Sequence, residues 1–299
     1  MSFNDDVQLD TSQVESGGGG GRGPGGMVIG GGLGGIILLI VALIFGINPS
    51  DLPGTGTDTG SSGSVESAGD QSGSAISECK TGADANKNDV CRVIGTVNSV
   101  QAYWASELPR YGKEYPPAKT VLYKGATQSA CGTASNQVGP FYCPLDQKVY
   151  LDMSFYSELH QRFGAPGDFA QAYVIAHEVG HHVQNLVGTA QQVREAQEQV
   201  GQAQANDLSV RMELQADCFA GVWAATAQRS RQLLSEGDIE EALGAASAIG
   251  DDRIQRQTQG YVVPDAFTHG SGEQRQRWFM RGYEAGRPDN CDTFKANPL

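Results

Sequence analysis

Hydrophobic and polar positions divide the chain into four stretches. Residues 1–26 are polar and acidic and end in a glycine tract around Arg22. A stretch with so little apolar surface to bury is expected to be disordered. Residues 27–47, MVIGGGLGGIILLIVALIFGI, hold no charge and no polar side chain. As a helix they would reach about 31 Å, roughly one hydrocarbon thickness, so a single transmembrane helix is expected there. Residues 48–78, rich in Gly, Ser, Thr and Asp, read as a flexible linker. From Cys79 onward aromatic and aliphatic residues return, and 79–299 is expected to form one domain.

Within that domain the apolar spacing predicts mostly helices. VCRVIGTVNSVQAYWASEL places Val93, Val97, Val100 and Trp104 on one helical stripe. TVLYKGA (Thr120 to Ala126) reads as a strand, and GPFYCPLDQKVYLDMSF as a hairpin turning at Pro144 to Gln147. YSELHQRF reads as a short helix carrying His160, a surface residue on this reading. APGDFAQAYVIAHEVGHHVQNLVG is punctuated as a helix. Pro166 and Gly167 break the chain before it, Asp168 is the expected N-cap, and Gly188 the expected residue past its last turn. VREAQEQVGQAQA, with Val193, Ala196, Val200 and Ala203 in phase, predicts another helix. SVRMELQADCFAGVWAATAQ, DIEEALGAASAIG and HGSGEQRQRWFMRGYEAG predict three more. The expected fold class is α+β: mainly helical, with a small antiparallel sheet ahead of the histidine helix.

Composition supports the division. Of 299 residues only 39% are hydrophobic and 40 are glycine, as when a low-complexity portion is joined to a globular one. The net charge of −13 argues against a nucleic-acid partner, which would need clustered Lys and Arg. A cleaved signal peptide is the rival reading of 27–47. The long polar segment ahead of it and the absence of a small-x-small site in NPSDLPG favour an uncleaved anchor. Gly30 with Gly34, and Gly31 with Gly35, have the spacing that lets two membrane helices approach closely. A homodimer through this span is one reading and plain glycine richness the other. Arg22 is the one basic residue before the span, and Lys80 the first after it. That asymmetry favours a single-pass protein of the cell membrane with a cytoplasmic N-terminus and an extracytoplasmic domain. All six cysteines, Cys79, Cys91, Cys131, Cys143, Cys218 and Cys291, lie beyond the span. This suits an oxidising compartment, although six free thiols are the alternative. Nearest-neighbour pairing would give 79–91, 131–143 and 218–291, one of fifteen connectivities.

The chemistry concentrates in YVIAHEVGHHVQ. His177 and His181 stand four apart, so on a helix both imidazoles face one way. Both can then reach one ion at the roughly 2.0–2.1 Å that zinc prefers. Glu178 sits beside the ion without ligating it, placed to take a proton from water. His182 should point away from the metal. In RMELQADCFAG, Glu213 and Asp217 share a face of a second helix. Glu213 can supply the third ligand, and Asp217 can accept the remaining N–H of a ligating histidine, which fixes its tautomer. Each of these two carboxylates could instead lie on a solvated helix face. Nothing in the six cysteines has zinc-ribbon spacing.

At this point the sequence resembles the neutral zinc metallopeptidases, single-anchor membrane proteins. The matching stretches run through the domain: ACGTA, GPFYCPLDQKVYLD, YVIAHEVGHHVQ, SVRMELQADCFAGVWA, AIGDDRIQ and FTHGSGEQRQRWF. More broadly it is similar to the gluzincins, whose third ligand is a glutamate in E-x-x-x-D. The resemblance implies one zinc ion on His177, His181 and Glu213, with Glu178 as catalytic residue, and a peptide or protein substrate. THGSGEQR is also similar to the T-H-P-x-x-x-x-R stretch of membrane zinc peptidases that process prenylated proteins, with Gly270 in place of proline. In that likeness His269 would donate to a developing oxyanion; the other reading has it capping the helix that starts near Ser271. Tyr261 is a weaker candidate for the same role. KVYLDMSF is a candidate edge for an extended substrate, read through Tyr150 and Met153. A domain that binds zinc and a partner without cleaving anything remains the alternative function.

Overall fold

The computed structural model describes residues 1–17, 69–135, 138–161, 167–231 and 233–299. The span expected at 27–47, the dimer motif within it and most of the linker expected at 48–78 lie outside the described residues. Among the described residues no helix is long and apolar enough to cross a membrane.

The first difference from expectation comes at the start of the chain. Residues 1–17 are packed onto the domain. Phe3 and Val14 are buried, and Val14–Ser16 forms a strand, β1. β1 pairs in parallel with β2 (Lys119–Tyr123) through Val14 to Thr120, Glu15 to Val121 and Ser16 to Leu122. Gly17 N–H extends the ladder by donating to Leu122 O at 2.7 Å. A polar segment can be ordered when a few apolar residues and its backbone groups find partners elsewhere in the chain. The end of the expected linker is also structured. Gly69–Glu78 is a helix, α1, with Ile76 buried.

Two more helices follow, α2 (Gly82–Ala85) and α3 (Asp89–Glu107). Asn88 caps α3 by accepting from the N–H groups of Val90 and Cys91. After β2 come β3 (Ala126–Ser129) and β4 (Gly132–Ser135), an antiparallel pair. Then come β5 (Phe141–Cys143) and β6 (Lys148–Asp152), joined by the expected four-residue turn. Gln147 takes a left-handed φ of 58° in that turn.

The main sheet runs β1-β2-β6-β5. It is mixed where an antiparallel sheet was expected: β1, β2 and β6 are parallel and β5 is antiparallel. The 24 residues between β2 and β6 leave room for a return crossover, which is what parallel pairing needs. β6 is paired with β2 along its length and with β5 over Lys148–Tyr150, so Tyr150 does not lie on a free edge to which a substrate strand could add. Among the described residues the edges of this sheet belong to β1 and β5.

Helices α4 (Phe155–Gln161), α5 (Asp168–Val187), α6 (Thr189–Gln197), α7 (Gln202–Arg231), α8 (Asp238–Ala248), α9 (Asp251–Gln259) and α10 (Gly272–Ala285) complete the domain. His160 lies on α4, and its side chain is outside what the structure describes. α5 ends at Gly188, as its punctuation predicts. Its start differs. Gly167 occupies the N-cap position at φ 124°, and the cap comes from another helix: Glu241 Oε2 on α8 accepts from Phe169 N–H at 3.0 Å. A side chain at Gly167 would be strained at that φ, and its Cβ, 2.0 Å from the Glu241 carboxyl carbon, would displace the capping carboxylate. Asp168 turns outward to pair with Arg92 at 3.1 Å. The helix expected over VREAQEQVGQAQA is interrupted at Gly201, with Val200 exposed beside it, and its second half is continuous with the next helix as the 30-residue α7.

Three disulfides join Cys79 to Cys91, Cys131 to Cys143 and Cys218 to Cys291. The core is continuous from α3 through α5 to α7 and α10. Trp104, Tyr173, Trp223, Trp278 and Phe279 are all nearly inaccessible within it. Phe169 stacks on Trp223, and the Trp223 indole N–H donates to Ser99 Oγ at 3.1 Å, which ties α5, α7 and α3 together.

Candidate metal centre

The centre is built where α5 crosses α7. Gly180, one residue before His181, sets the spacing: a Cβ there would lie 3.2 Å from the Ala216 backbone. The missing side chain lets the two helices close. His177 and His181 from α5 are thereby brought to Glu213 of α7. His177 Nε2 lies 3.1 Å from Glu213 Oε2, His181 Nε2 lies 3.3 Å from Glu213 Oε1, and the two Nε2 atoms are 3.2 Å apart. Three donors on a tetrahedron around zinc, at about 2.0–2.1 Å from the ion, would be about 3.3 Å from one another. The two imidazole nitrogens stand at that spacing with one Glu213 oxygen against each, and the three side chains, with ligand atoms all within 4.8 Å of one another, are a candidate ligand set among the described residues.

Hydrogen bonds behind the ligands fix which ring nitrogen is free. His177 Nδ1–H donates to Asp217 Oδ1 at 2.8 Å, which commits that nitrogen and turns Nε2 toward Glu213. Asp217 is fully buried and holds four such donors. Tyr173 OH reaches Oδ1 at 2.5 Å, and Arg275 donates from Nε to Oδ2 at 2.9 Å and from Nη2 to Oδ1 at 3.0 Å. The buried Arg275 guanidinium neutralises the Asp217 charge, so the carboxylate at Glu213 is left for something else to balance.

Electrostatics give the same answer. Burial opposes a charge on His177, but the Asp217 and Glu213 carboxylates outweigh it and raise its pKa to about 10. His181 is pushed up as well, against burial, by Glu213 and more weakly by Glu178. Burial alone would raise Glu213, yet the two imidazoles hold it well below the usual carboxylate range. The Glu213 carboxylate therefore calls for positive charge at this point, which protons on the imidazoles supply in the absence of an ion and which a divalent cation would supply in their place. Glu178 follows His177 on the helix, is 8% exposed, and stands beside the centre without joining the candidate ligand set.

The other histidines separate cleanly. His182 points away from the centre, as its position on the helix predicts. Its Nε2–H donates to Pro116 O at 2.7 Å, and its Nδ1 accepts from Tyr142 OH at 2.9 Å, so it pins α5 to β5. His269 sits in the loop before α10. The cap of that helix is Ser271, reciprocated by Gln274, so His269 is not the capping residue. Instead Asp251, at the start of α9, gathers the loop. Its Oδ2 accepts from the N–H groups of Thr268, His269 and Gly270, and its Oδ1 from His269 Nδ1–H at 3.2 Å. That leaves Nε2 of His269 free, and Glu213 is near enough to help raise its pKa, second to Asp251 and against the effect of burial. Tyr261 is exposed past the end of α9, outside the network.

Sequence reasoning did not single out Tyr173, Gln184, Gln215 or Asp251. Tyr173 stands four before His177 and Gln184 three after His181, and same-face spacing on α5 could have flagged both. Asp251 lies in a helix too polar to read from periodicity.

Two histidines one turn apart, a glutamate from a second helix and a carboxylate beside them define a zinc-metallopeptidase type of centre. The comparisons agree. The chain belongs to the family described as "Putative neutral zinc metallopeptidase", whose model matches residues 4–294. It is similar to "Uncharacterized protein YpfJ" of Escherichia coli (strain K12), 56% identical over 191 residues, 64% of this chain and 66% of that relative. It is also similar to "Uncharacterized protein Rv2575" of Mycobacterium tuberculosis (strain ATCC 25618 / H37Rv), 48% identical over 234 residues, 75% and 77% of the two chains. The chain thus spans just under two thirds of the length of YpfJ. No solved structure matches the chain.

Proposed function

We infer that the chain is a zinc-dependent peptidase that hydrolyses peptide bonds, with one zinc ion held by His177, His181 and Glu213. The observation that carries this reading is the convergence of two Nε2 atoms, 3.2 Å apart, on the Glu213 carboxylate, which sets Oε2 3.1 Å from His177 and Oε1 3.3 Å from His181, with the His177 ring oriented by Asp217. Zinc in such a site lowers the pKa of its water toward 7 and polarises a carbonyl. The rest of the chemistry belongs to the chain. Glu178 takes the proton of the attacking water and returns it to the leaving amine. His269, with Nδ1 committed to Asp251, offers Nε2–H to the oxygen of the scissile carbonyl as it gains charge. Arg275 keeps Asp217 ionised and in place, so the His177 ring holds its aim.

The apolar run at 27–47 supports attachment to a cell membrane. Three closed disulfides support an oxidising, extracytoplasmic setting for the domain. The deciding experiment pairs metal analysis with a broad peptide library. Wild-type protein should contain zinc and cleave peptides until a chelator is added. Glu178→Gln should keep its zinc and lose cleavage by about 10²–10⁴-fold. Equal cleavage by the variant would remove Glu178 as the base. Zinc content without any cleavage by the wild type would favour a silent zinc-binding module.

A further inference from the structure

His177 owes its orientation to Asp217, but His181 has no carboxylate behind it. Its Nδ1 instead lies 2.8 Å from Gln184 Oε1, one turn along α5. Gln184 is fully buried, and its amide cannot be turned the other way round. Its second atom faces Met212 O at 2.7 Å and Gln215 Oε1 at 3.1 Å. A main-chain carbonyl only accepts, so Gln184 presents its NH2 group to Met212 and its oxygen to His181. His181 must then carry its proton on Nδ1, which frees Nε2 for the centre. Gln215 is oriented by the same logic, since its Nε2 donates to Cys291 O at 3.0 Å. Cys291 is bonded to Cys218, three residues beyond Gln215 on α7. A row of two buried amides therefore runs from the carbonyl of a disulfide cysteine to a ligand histidine, and every member has one permitted orientation.

We propose that Gln184 is the positioning residue of His181, and that the Gln184–Gln215 row ties the aim of that ligand to the closed Cys218–Cys291 disulfide, so that metal affinity depends on the disulfide. This rests on the zinc reading of the centre and deepens it. The disulfide acts through place and not through chemistry of its own: it holds the Cys291 carbonyl where Gln215 can reach it. Without it, Gln215 can rotate and Gln184 loses the second of its two acceptors, so Met212 O alone holds its amide and the aim of the His181 ring slackens.

The test uses the full chain and reads zinc affinity by competition with a chromophoric chelator. Gln184→Leu should weaken zinc binding by about 10–100-fold, the range seen when a ligand histidine loses its outer hydrogen bond. Gln215→Leu and the double variant Cys218→Ala/Cys291→Ala should each weaken it by about tenfold, the low end of that range. Combining Gln215→Leu with Gln184→Leu should add nothing to Gln184→Leu alone, because the row is already cut. Cys79→Ala/Cys91→Ala removes a disulfide that is not part of the row and should cost stability while leaving zinc affinity unchanged. A second readout needs no metal: nitrogen-15 shifts of His181 in the metal-free protein, followed as pH is raised until the ring is neutral, should show the Nδ1–H tautomer in the wild type and a mixture in Gln184→Leu. Unchanged affinity in Gln184→Leu, multiplicative effects in the combined variant, or equal losses on opening either disulfide would overturn the proposal. Failure of the wild type to bind zinc would instead sink the metallopeptidase reading, and the tautomer measurement would still decide the role of Gln184.

Discussion

At the scale of single residues, charge placement explains how a buried centre of this kind stays folded before it meets its ion. Asp217 has Arg275 as a close partner and needs no further cation, whereas Glu213 has the two imidazoles and only a longer approach, 3.9 Å, from the same guanidinium. The same device recurs at Asp251. Burial would raise its pKa, but the charge and hydrogen bond of His269 and the backbone N–H groups it gathers hold it below the usual carboxylate value. A carboxylate with a depressed native pKa stabilises the fold fully above its unfolded value, about 3.9, and loses that contribution as pH falls through the native value. Melting temperature should therefore drop on acidification below about pH 4, and some of that acid limb should vanish in Asp251→Asn. Parallel acid limbs in wild type and variant would show that Asp251 contributes nothing to it.

At the scale of elements, the close crossing of α5 and α7 makes the centre, and Gly180 is the residue that permits it. Gly180→Val should force the helices apart by several tenths of an ångström or more and lengthen both histidine–Glu213 separations. Zinc affinity should fall by about tenfold or more, as for other losses of ligand placement, and an unchanged affinity would mean the crossing tolerates the side chain. Much of this level was legible beforehand. His177, His181, Glu213 and Asp217 converge as their helical spacings require, the hairpin turns where its proline does, and the disulfides follow nearest-neighbour order. What stayed hidden shares one cause. β1 is three residues long and acquires meaning only from a parallel partner more than a hundred residues on. α9, DDRIQRQTQ, buries only Asp251 and Ile254 and so carries no apolar stripe. The N-cap of α5 comes from Glu241, 72 residues from the N–H it satisfies. In each case the information lies in a contact, and local spacing does not record contacts. The interior position of β6 has a practical consequence. Changes at Tyr150, buried in a strand paired on both sides, act on the sheet and on its stacked partner Phe141, not on a substrate edge.

At the scale of the whole molecule, the ladder between β1 and β2 constrains how the protein can sit at a membrane. Residues 1–17 are packed into the same body as the domain: Phe3 and Val14 lie in its core and Gly17 bonds Leu122. A single crossing between residues 18 and 68 would have to pull β1 away from β2. Whatever course residues 18–68 take, both flanking segments should therefore lie on the same side of any membrane, and three disulfides favour the oxidising side. All six cysteines are consumed in those disulfides, so one introduced thiol is the sole reactive one. Val7 and Leu145 are exposed, at 45% and 72%, in the N-terminal segment and at the tip of the hairpin. In the full-length protein in intact cells, Val7→Cys and Leu145→Cys should react equally with a membrane-impermeant maleimide. Labelling of Leu145→Cys in intact cells, with Val7→Cys labelled only after lysis, would mean that β1 is absent from the membrane-bound protein. In that outcome Val121 and Leu122 would have to find another neighbour, and the sheet would begin at β2.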